Sequence, residues 1–416
     1  MSLDYMNNKD SKFKALGCFI FGGSATIGTL QAGYNVDKIL EMTDNMATEL
    51  NGYHFAKNFN NIPIVTPTEW ENDEYFEKLK NENYDLLFSN CPCSSLSQIN
   101  KNASVDGKNN VQFYRVFNVI KKVKPKTFFI ENAPTLVKLG YPILQDMVNQ
   151  LNNEYKFSII RDYGGNHGVP MKRMRTLVIG YRNDILENGN IPLLYMNHMP
   201  KTTTRDTIGT LYDVQVGSDK VYNHTLVEYD WSKYEYLFEH IDPGKTAMLS
   251  FIDKFDLIKN NINDEKLIKE INKTKQKLDN GQKIWNKTPY RMKEEDLCPS
   301  MTSVTLLVHP KHNRSFTIRE YACLMGYPMD FKFYPEECKT DIIQCIAQGV
   351  PAPFVKYVTS EIKEFLSGNR DYAKDSNDKA LCFQHHTHKK YKCFSLEEIN
   401  EMKELESDKT FEKLEK

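Results

Sequence analysis

A cysteine in a short loop after an apolar run is the residue best placed to act as a nucleophile. The apolar run at residues 84–88 predicts a buried strand, and residues 90–97, which include Pro92 and Cys93, predict the loop that follows it. Proline fixes the backbone just before Cys93, so we expect its thiol to occupy a defined position. Taken alone, the pattern fits equally well an inert buried cysteine, the common state of a free thiol.

Two further sets of polar residues lie where predicted strands end or pair. Glu131 and Asn132 follow the apolar run at residues 127–130, so this carboxylate could lie across one pocket from Cys93 in a shared sheet. Arg173 and Arg175 are separated by one residue in an extended segment and therefore point to the same face. Two guanidinium groups on one face can bind a single anionic or acceptor-rich ligand.

A glycine-containing turn near the start of the chain is typical of a nucleotide-like ligand site. Residues 14–21 predict a first strand, residues 22–28 break it, and residues 29–32 predict a helix that ends at Gly33. Glu41 follows the next predicted strand about 20 residues after the turn, where an acid usually binds a ribose diol. Together these features favour an adenosine-containing cofactor, with a plain tight turn and a solvated Glu41 as the alternatives.

The composition is that of a soluble intracellular protein without a global basic field. The 416 residues include 54 Lys and Arg against 55 Asp and Glu, for a formal net charge of −1. A local basic cleft is still sufficient for nucleic-acid binding, because net charge governs solubility more than it defines a site. Nine cysteines in no regular framework indicate free thiols in a reducing cytoplasm. The polar N-terminus and the lack of a long apolar segment predict neither a signal peptide nor a membrane span.

The distribution of predicted elements divides the chain into four parts. Strands alternate with helices over residues 1–182, which predicts an α/β fold with a parallel sheet. The alternation is lost over residues 183–298, which we assign to a second, smaller domain. Residues 299–368 return to the first domain, with a capped helix predicted after Thr317. Residues 369–416 are predicted to form a charged tail that ends in a solvated helix.

These motifs are weak individually, but they occur in a specific order along the chain. In sequence they are Phe21-x-Gly23, Glu41, Pro92-Cys93-x-x-x-Ser97, Glu131-Asn132-Ala133, Gly168-Val169-Pro170-x-x-Arg173-x-Arg175, Arg314-x-x-Thr317-x-Arg319-Glu320 and Val350-Pro351. This arrangement resembles the DNA cytosine-5 methyltransferase family over residues 14–182 and 296–366. The resemblance implies a Rossmann-like, S-adenosylmethionine-dependent methyltransferase sheet, with residues 183–298 as the target-recognition domain.

The resemblance implies that Cys93 is the nucleophile. Carbon 5 of cytosine is a poor nucleophile until a thiolate adds to carbon 6, and Cys93 is expected to make that addition. The addition cannot take place in a stacked duplex, so base flipping is expected as well. Cys91, two residues earlier, is implied to be structural.

The resemblance also implies which residues contact the flipped base. Glu131 is expected to bind N3 and Arg175 to bind the O2 acceptor, with Arg173 close by on a phosphate. Ser97 and Asn132 are implied as further substrate contacts.

The implied methyl donor is S-adenosylmethionine. The residues implied to bind it are Phe21, Gly23, Ser24, Ala25, Thr26, Glu41, Met42, Pro92, Gln348, Gly349 and Val350. Four features depart from the family pattern: the turn at residues 23–26 carries fewer glycines, no acid stands out among residues 66–69, Met171 replaces a glutamine, and residues 347–349 replace a Gly-Asn pair. The last change could be neutral, could weaken cofactor binding or could admit a modified sulfonium donor. Unmodified S-adenosylmethionine is our first expectation.

The sequence therefore predicts an enzyme, a DNA (cytosine-5-)-methyltransferase of a restriction–modification system or a phage. We expect methyl transfer to carbon 5 of cytosine in a specific sequence of double-stranded DNA, by a cytoplasmic monomer without an obligate protein partner. Two alternatives remain open: a catalytically weak member of the family that mainly binds DNA, and an RNA cytosine-5 methyltransferase on the same scaffold.

Several potential metal ligands lie near the end of the chain. They are Cys382, His385, His386, His388 and Cys393. Their spacing fits no standard zinc finger, so we favour a solvated or partner-binding tail and predict no metal.

Overall fold

The structure, a computed structural model, describes residues 10–42, 46–59, 61–97, 100–194, 198–282, 288–302, 306–334, 338–385 and 390–405. The strands of this part are β1 (Lys14–Cys18), β2 (Asn35–Leu40), β3 (Ile64–Val65), β4 (Leu86–Asn90), β5 (Thr127–Asn132), β6 (Tyr155–Tyr163), β7 (Met171–Lys172), β8 (Met174–Arg182), β9 (Tyr290–Arg291), β10 (Cys298–Pro299), β11 (Leu307–Val308), β12 (Leu381–His385) and β13 (Lys390–Phe394). Its α-helices are α1 (Ser24–Gln31), α2 (Met46–Asn58), α3 (Pro67–Trp70), α4 (Asp73–Asn81), α5 (Val111–Val123), α6 (Tyr141–Leu151), α7 (Thr204–Ile208), α8 (Ala247–Asp253), α9 (Phe255–Ile258), α10 (Glu265–Asp279), α11 (Ile318–Leu324), α12 (Lys339–Gln348), α13 (Ala352–Leu366) and α14 (Leu396–Glu401).

A sheet of nine strands forms the centre of the described part of the chain. Its order is β13-β12-β6-β8-β5-β4-β1-β2-β3. Strands β3, β2, β1, β4 and β5 are parallel, β8 runs antiparallel between β5 and β6, and β12 pairs in parallel with β6. The predicted parallel α/β sheet is confirmed. Because the carboxyl ends of parallel strands meet at one edge, the residues that follow β1, β4 and β5 lie close together.

The central strands are buried on both faces, which explains their continuous apolar sequences. Every residue of β4 and β5 is buried, as expected for parallel strands covered by helices. Leu86 and Phe88 pack in the apolar cluster that contains α1 and α13, whereas Leu87 packs in the cluster of α5 and α6. A Cβ on Gly28 of α1 would lie 2.5 Å from the carbonyl oxygen of Ala352, so glycine is required where α1 meets α13.

Two strands extend beyond the apolar runs that predicted them. β4 continues to Asn90 and β5 to Asn132, because Asn90 and Glu131 are register partners in the same ladder. Helix α1 begins at Ser24, five residues before the predicted start at Thr29. The polar residues at these strand ends therefore belong to the rigid sheet and not to a loop.

The region between β8 and β10 has a small apolar core of its own. Helices α8, α9 and α10 contribute buried residues to it, among them Phe251, Ile258, Leu267 and Ile271. Leu306 and Val308 complete this core from the segment that leads into α11. A separate core fits the prediction of a second domain, whose boundaries at residues 183 and 298 stay a prediction.

The prediction of a charged tail is wrong for the strands β12 and β13, whereas the helix predicted after Ser395 is present as α14. β12 extends the central sheet beside β6, with Leu381, Cys382 and Phe383 buried. Helix α14 docks on α6, where the hydroxyl of Tyr141 donates to the carbonyl of Ile399 at 2.8 Å. The short apolar strand β12 lies among charged residues, so the sequence pattern did not predict it. Its partner β6 is remote in sequence, and local sequence does not indicate that pairing. Residues 406–416 lie outside the described residues.

The cysteines of the last hairpin are direct neighbours. Cys382 and Cys393 are register partners of β12 and β13, and their Sγ atoms lie 2.7 Å apart. His386 and His388 lie outside the described residues. Within the part of the chain that the structure describes, no three His, Cys, Asp or Glu side chains form a group that could hold a metal ion. No described helix has the length and apolar character needed to cross a membrane.

Candidate active site

The loop after β4 holds Cys93 in a closed turn. The backbone N–H of Leu96 donates to the carbonyl oxygen of Cys93 over 3.0 Å. Two residues from the end of β5 and the turn after it bind the same loop. Asn132 donates from Nδ2 to the carbonyl of Cys91 at 3.0 Å, and Thr135 donates from Oγ1 to the carbonyl of Leu96. The loop is thus fixed to the neighbouring strand at the carboxyl edge of the sheet.

The two cysteines of this loop lie in different environments. Cys91 is buried, its Sγ lies 3.4 Å from Ser89 Oγ, and burial raises the pKa of its thiol to about 12. Cys93 is partly exposed. Because a reactive cysteine must form a thiolate and be accessible, Cys93 is the candidate nucleophile and Cys91 is an inert neighbour.

Glu131 in β5 and Arg175 in β8 form an ion pair across adjacent strands. Arg175 Nε lies 2.5 Å from Glu131 Oε1, and the two side chains are 12% and 4% exposed respectively. The two atoms do not meet hydrogen-bond angles, so charge attraction dominates the contact. A carboxyl and a guanidinium group together can bind the donor and acceptor atoms of a planar ring.

Arg173 connects the sheet to the late part of the chain. It is 4% exposed and donates to the carbonyl oxygens of Met301, Ala347 and Gly349 at 3.2, 3.1 and 3.0 Å. This position differs from the predicted phosphate contact, because the guanidinium group is buried and bound to the backbone. Arg173 therefore holds residues 347–349 in place.

The charges of the other three residues predicted to be catalytic influence the pKa of Arg173. Burial lowers the pKa of Arg173, the positive charge of Arg175 lowers it further, and the charges of Glu131 and Cys93 oppose that shift. The structure thus brings Cys93, Glu131, Arg173 and Arg175 together at one edge of the sheet.

The two predicted substrate contacts lie in different places. Ser97 is partly exposed near the end of the cysteine loop. Asn132 is fully buried, and besides its bond to Cys91 its Oδ1 accepts from the backbone N–H of Ala133 at 2.9 Å. That position differs from the predicted substrate contact, because the amide is buried and its hydrogen bonds are made to the backbone. The amide holds the cysteine loop and does not face a ligand.

The turn after β1 has an unusual backbone. Phe19 and Phe21 have positive φ angles of 68° and 39°, and Gly22 and Gly23 follow at 72° and 93°. Positive φ is rare for a bulky residue and is often found at functional sites. The other residues predicted for this turn, which open α1 and are buried, are Ser24, Ala25 and Thr26.

Glu41 follows β2 and turns its carboxylate toward the same turn. Its Oε2 accepts from the backbone N–H of Ile20 at 3.2 Å, and its Oε1 accepts from that of Met42 at 2.9 Å. The indole Nε1 of Trp70 donates to the Glu41 carbonyl at 2.8 Å and fixes the backbone there. A carboxylate has about four acceptor sites, so Glu41 can also accept hydroxyl donors from a ligand.

Glu69, the acid nearest to β3, serves as a helix cap. Its carboxylate accepts from the backbone N–H of Thr66 at 2.8 Å and from the Thr66 hydroxyl at 2.9 Å. These two bonds lower the pKa of Glu69. The exposed carboxyl group is therefore engaged at the start of α3.

The segment between α12 and α13 closes against the turn after β1. A Cβ on Gly349 would lie 2.4 Å from Ser24 Oγ and 3.2 Å from the carbonyl oxygen of Phe21, so glycine favours this close approach. Val350 is buried and Gln348 is exposed. The turn, Glu41 and residues 347–350 thus converge on one region of the sheet edge. Of the remaining predicted cofactor residues, Met42 is buried and Pro92 is partly exposed.

A separate surface cavity of about 580 Å³ lies in the second half of the chain. It is lined by Tyr212, Asp213, Val214, Gln215, His312, Asn313 and Arg314. None of these residues belongs to the cysteine loop or to the segments around Glu41. The chemistry of the site therefore follows from the sheet edge and not from this cavity.

A model of the C-5 cytosine-specific DNA methylase family matches residues 24–364. The match includes the cysteine loop, both predicted catalytic strand ends and the segment before α13. The chain belongs to this family. The resemblance predicted from the motifs is confirmed.

Two Type II methyltransferases are similar to this chain at low sequence identity. Type II methyltransferase M.DdeI of Desulfomicrobium norvegicum is 23% identical over 382 residues, which cover 85% of this chain and 89% of that protein. Type II methyltransferase M.XorII of Xanthomonas oryzae is 24% identical over 231 residues, or 54% of this chain, and this match spans only 51% of M.XorII. Identity at this level supports the family and leaves individual activities open.

A crystal structure supports the fold of this chain. It is described as a DNA modification methyltransferase encoded within a prophage (E. coli). It aligns with a TM-score of 0.58 and 19% identity, covering 86% of this chain and all of that one. The predicted Rossmann-like methyltransferase sheet is thereby confirmed.

Three residues of the candidate site were not predicted from the sequence. Asn90 lies beside Glu131, Phe19 adopts a positive φ angle, and Trp70 fixes the backbone of Glu41. Asn90 carries a usable signal, since a polar residue at the end of an apolar strand faces the functional edge of a parallel sheet. The other two depend on contacts between segments that local sequence does not encode.

Proposed function

We propose that this methylase transfers a methyl group from S-adenosylmethionine to carbon 5 of cytosine within a specific sequence of duplex DNA. The reaction passes through a flipped-out base and a covalent bond between Cys93 and carbon 6. One observation carries the proposal: a partly exposed thiol follows β4, and the Glu131–Arg175 ion pair lies at the end of the adjacent strand.

Cys93 begins the reaction by nucleophilic addition. Its thiolate sulfur forms a bond to carbon 6, and the electron pair of the C5–C6 double bond moves into the ring toward N3 and O2. Carbon 5 then becomes the nucleophile. After methyl transfer, a base removes the proton from carbon 5, the double bond re-forms and the Cys93 thiolate leaves.

Glu131 and Arg175 stabilise the charge that this addition creates. Glu131 shares a proton with N3, and Arg175 donates to O2, so both act where negative charge develops. Their burial supports this role, because such interactions are stronger away from water. Asn132 and Thr135 support it indirectly by holding the cysteine loop against β5.

The chain has a suitable place for S-adenosylmethionine beside this site. When bound, the cofactor supplies an electrophilic methyl group on its sulfonium sulfur. Glu41 has acceptor capacity for the ribose hydroxyls, and the glycines after Phe21 let the backbone approach a ligand closely. Gly349 and Val350 close the same region from the other side.

The substrate strand must leave the duplex to reach Cys93. Base flipping is the general solution for enzymes that act on a base, and residues 183–298 are proposed to read the surrounding sequence. We further propose that the methylase works as a cytoplasmic monomer on DNA and protects it within a restriction–modification system or a phage. M.DdeI and M.XorII, both named Type II methyltransferases, support this assignment.

Trapping with 5-fluorocytosine tests the proposal. Random-sequence duplex DNA with 5-fluorocytosine in place of cytosine is incubated with the methylase and S-adenosylmethionine. Fluorine cannot leave carbon 5 as a cation, so Cys93 cannot be expelled and a denaturation-stable complex accumulates. Peptide mass mapping should locate the bond at Cys93, and Cys91→Ser should form the complex whereas Cys93→Ser should not.

A parallel incubation separates the alternatives. RNA with 5-fluorocytosine should give no adduct, and an adduct with RNA alone would favour an RNA cytosine-5 methyltransferase. A folded protein that binds DNA but gives no adduct with either polymer would favour the weak, DNA-binding alternative and contradict our proposal. Bisulfite sequencing of DNA from cells that express the methylase would then identify the methylated sequence.

A further inference from the structure

The last residue of β4 occupies a central position that the proposed chemistry does not explain. Asn90 is the register partner of Glu131 in β5 and is 5% exposed. It also lies three residues before Cys93. Neighbouring residues in register on parallel strands place their side chains on the same face, so Asn90 and Glu131 share one side of the sheet.

Its amide has two polar neighbours, which fix its orientation. Asn90 Nδ2 donates to Glu131 Oε2 at 2.6 Å, and Asn90 Oδ1 accepts from the backbone N–H of Val350 at 3.3 Å. The opposite orientation would place oxygen against the carboxylate and nitrogen against an N–H group. Because an amide has one donor end and one acceptor end, the arrangement with both bonds is the favoured one.

This side chain joins the two halves of the proposed site. Glu131 Oε1 faces Arg175, so the bond from Asn90 gives the second carboxylate oxygen its partner. Val350 follows Gly349, whose carbonyl accepts from Arg173. The base-binding carboxylate and the cofactor segment are therefore connected through a single amide.

We propose that Asn90 is a positioning residue that sets the Glu131 carboxyl group and the Val350 backbone in one common geometry. It acts through Glu131 and Val350 and does not touch the reacting atoms. Fixing both groups with one side chain aligns the activated base with the methyl donor. This alignment matters because small displacements of the reacting groups slow a reaction strongly. This inference rests on the proposed function.

Two substitutions remove the connection in different ways. Asn90→Ala deletes both bonds. Asn90→Asp keeps the size of the side chain but replaces the donor with a second carboxylate oxygen, which repels Glu131. Asn152→Ala is the matched control, since it also removes a side-chain amide with two hydrogen bonds, here to the backbone carbonyls of Val148 and Asn149 at the end of α6.

The readouts are the rate of adduct formation with 5-fluorocytosine DNA and the split between kcat and KM for methylation. Both Asn90 variants should form the adduct at least ten-fold more slowly and show a several-fold higher KM for S-adenosylmethionine, with KM for DNA within two-fold of wild type. Asn152→Ala should keep wild-type values of all three. Thermal unfolding midpoints establish that the variants are folded.

The outcomes separate this inference from the proposed function. Failure of the wild-type protein to form an adduct would overturn the proposed function and the inference with it. If wild type reacts and a folded Asn90 variant reacts at the same rate with the same KM values, the inference alone is overturned. If neither Asn90 variant folds, the side chain serves the stability of the sheet and the positioning role is rejected.

Discussion

At the scale of single residues, the site depends on two cysteines that differ in environment more than in position. Cys91 and Cys93 flank one proline, yet Cys91 is buried among β-sheet residues and Cys93 is partly exposed. Burial disfavours a thiolate, which explains the raised pKa of Cys91. The chain thus keeps one thiol inert next to another that is available for reaction.

Alkylation should discriminate between these two thiols. At pH 8, a thiol with a pKa of about 12 is a thiolate in only about 10⁻⁴ of molecules, and Cys91 is also shielded from reagent. We expect N-ethylmaleimide to modify Cys93 at least a hundred-fold faster than Cys91, as measured by peptide mass spectrometry over time. Equal rates at the two positions would contradict the described burial.

Substitution of Glu131 tests the carboxyl group at the base. Glu131→Gln keeps the shape of the side chain but removes its ability to share a proton with N3. Loss of general acid or base assistance typically slows a reaction by about 10²–10⁴-fold. We expect a decrease in the single-turnover methylation rate within this range, with DNA affinity retained. Glu74→Gln, at an exposed residue of α4, is the control and should leave the rate unchanged.

At the scale of elements, buried polar side chains connect segments that are remote in sequence. Helix α2 is joined to residues 332–334 in this way. Asn58 exchanges two hydrogen bonds with the backbone of Lys332, at 2.7 and 2.9 Å, and His54 Nδ1 accepts from the backbone N–H of Tyr334 at 2.6 Å. An acceptor nitrogen must be unprotonated, which agrees with the burial-lowered pKa of His54, about 4.

Acid should weaken the connection at His54. The unfolded state binds a proton below pH 6.5, whereas the folded state resists protonation until about pH 4, so stability decreases as the pH falls through this window. Between pH 7 and pH 5, the loss from this group is about 2 kcal/mol in the free energy of unfolding. Urea titrations at both pH values measure it. His54→Asn keeps an acceptor oxygen and cannot titrate, so its loss of stability between pH 7 and pH 5 should be smaller than that of wild type by about 2 kcal/mol. An equal loss of stability in both proteins would exclude His54 as the cause.

At the scale of the whole molecule, the central sheet recruits strands from both ends of the chain. β1 and β4 come from the first hundred residues, and β12 comes from the last forty. Without β12, the edge of β6 would be open and its apolar neighbours would be exposed, which favours aggregation. The late hairpin is therefore part of the core and not an appendage.

Truncation should reveal this dependence. A chain that ends at residue 368 lacks β12 and should be recovered mainly as aggregates, or should unfold at a clearly lower temperature. A chain that ends at residue 405 keeps all described residues and serves as the control. Its unfolding midpoint should lie close to that of the full chain, measured by circular dichroism. Equal midpoints for both truncated chains would contradict a structural role for β12.

Local sequence patterns predicted the strands that carry polar residues at their ends and the helices with capping residues. The positions of Cys93, Glu131 and Arg175 after or within a strand could be predicted because these strands have recognisable sequences, while their catalytic roles stay a prediction. The cap of α11 could be predicted as well, since Thr317 and Glu320 form a capping box within four residues. These signals depend only on neighbours in the chain.

The rest depends on contacts that no local pattern encodes. The pairing of Leu381 with Phe157 joins positions far apart in sequence, so the late strand was predicted as a tail. The partners of Arg173 and Asn90 depend on how the segment before α13 folds back onto the sheet. A side chain whose type suggests a ligand contact can thus bind the backbone instead.

The late position of β12 in the sequence affects how the nascent chain folds during synthesis. About 200 residues separate the end of β8 from β12, and a ribosome adds roughly 5–20 residues per second. The edge of β6 therefore waits roughly 10–40 s for its partner during synthesis. Cys93 and Glu131 are made before that interval begins, whereas α13 is completed only about 15 residues before β12 starts. We therefore expect this chain to depend on chaperones more than a protein whose sheet is completed in order.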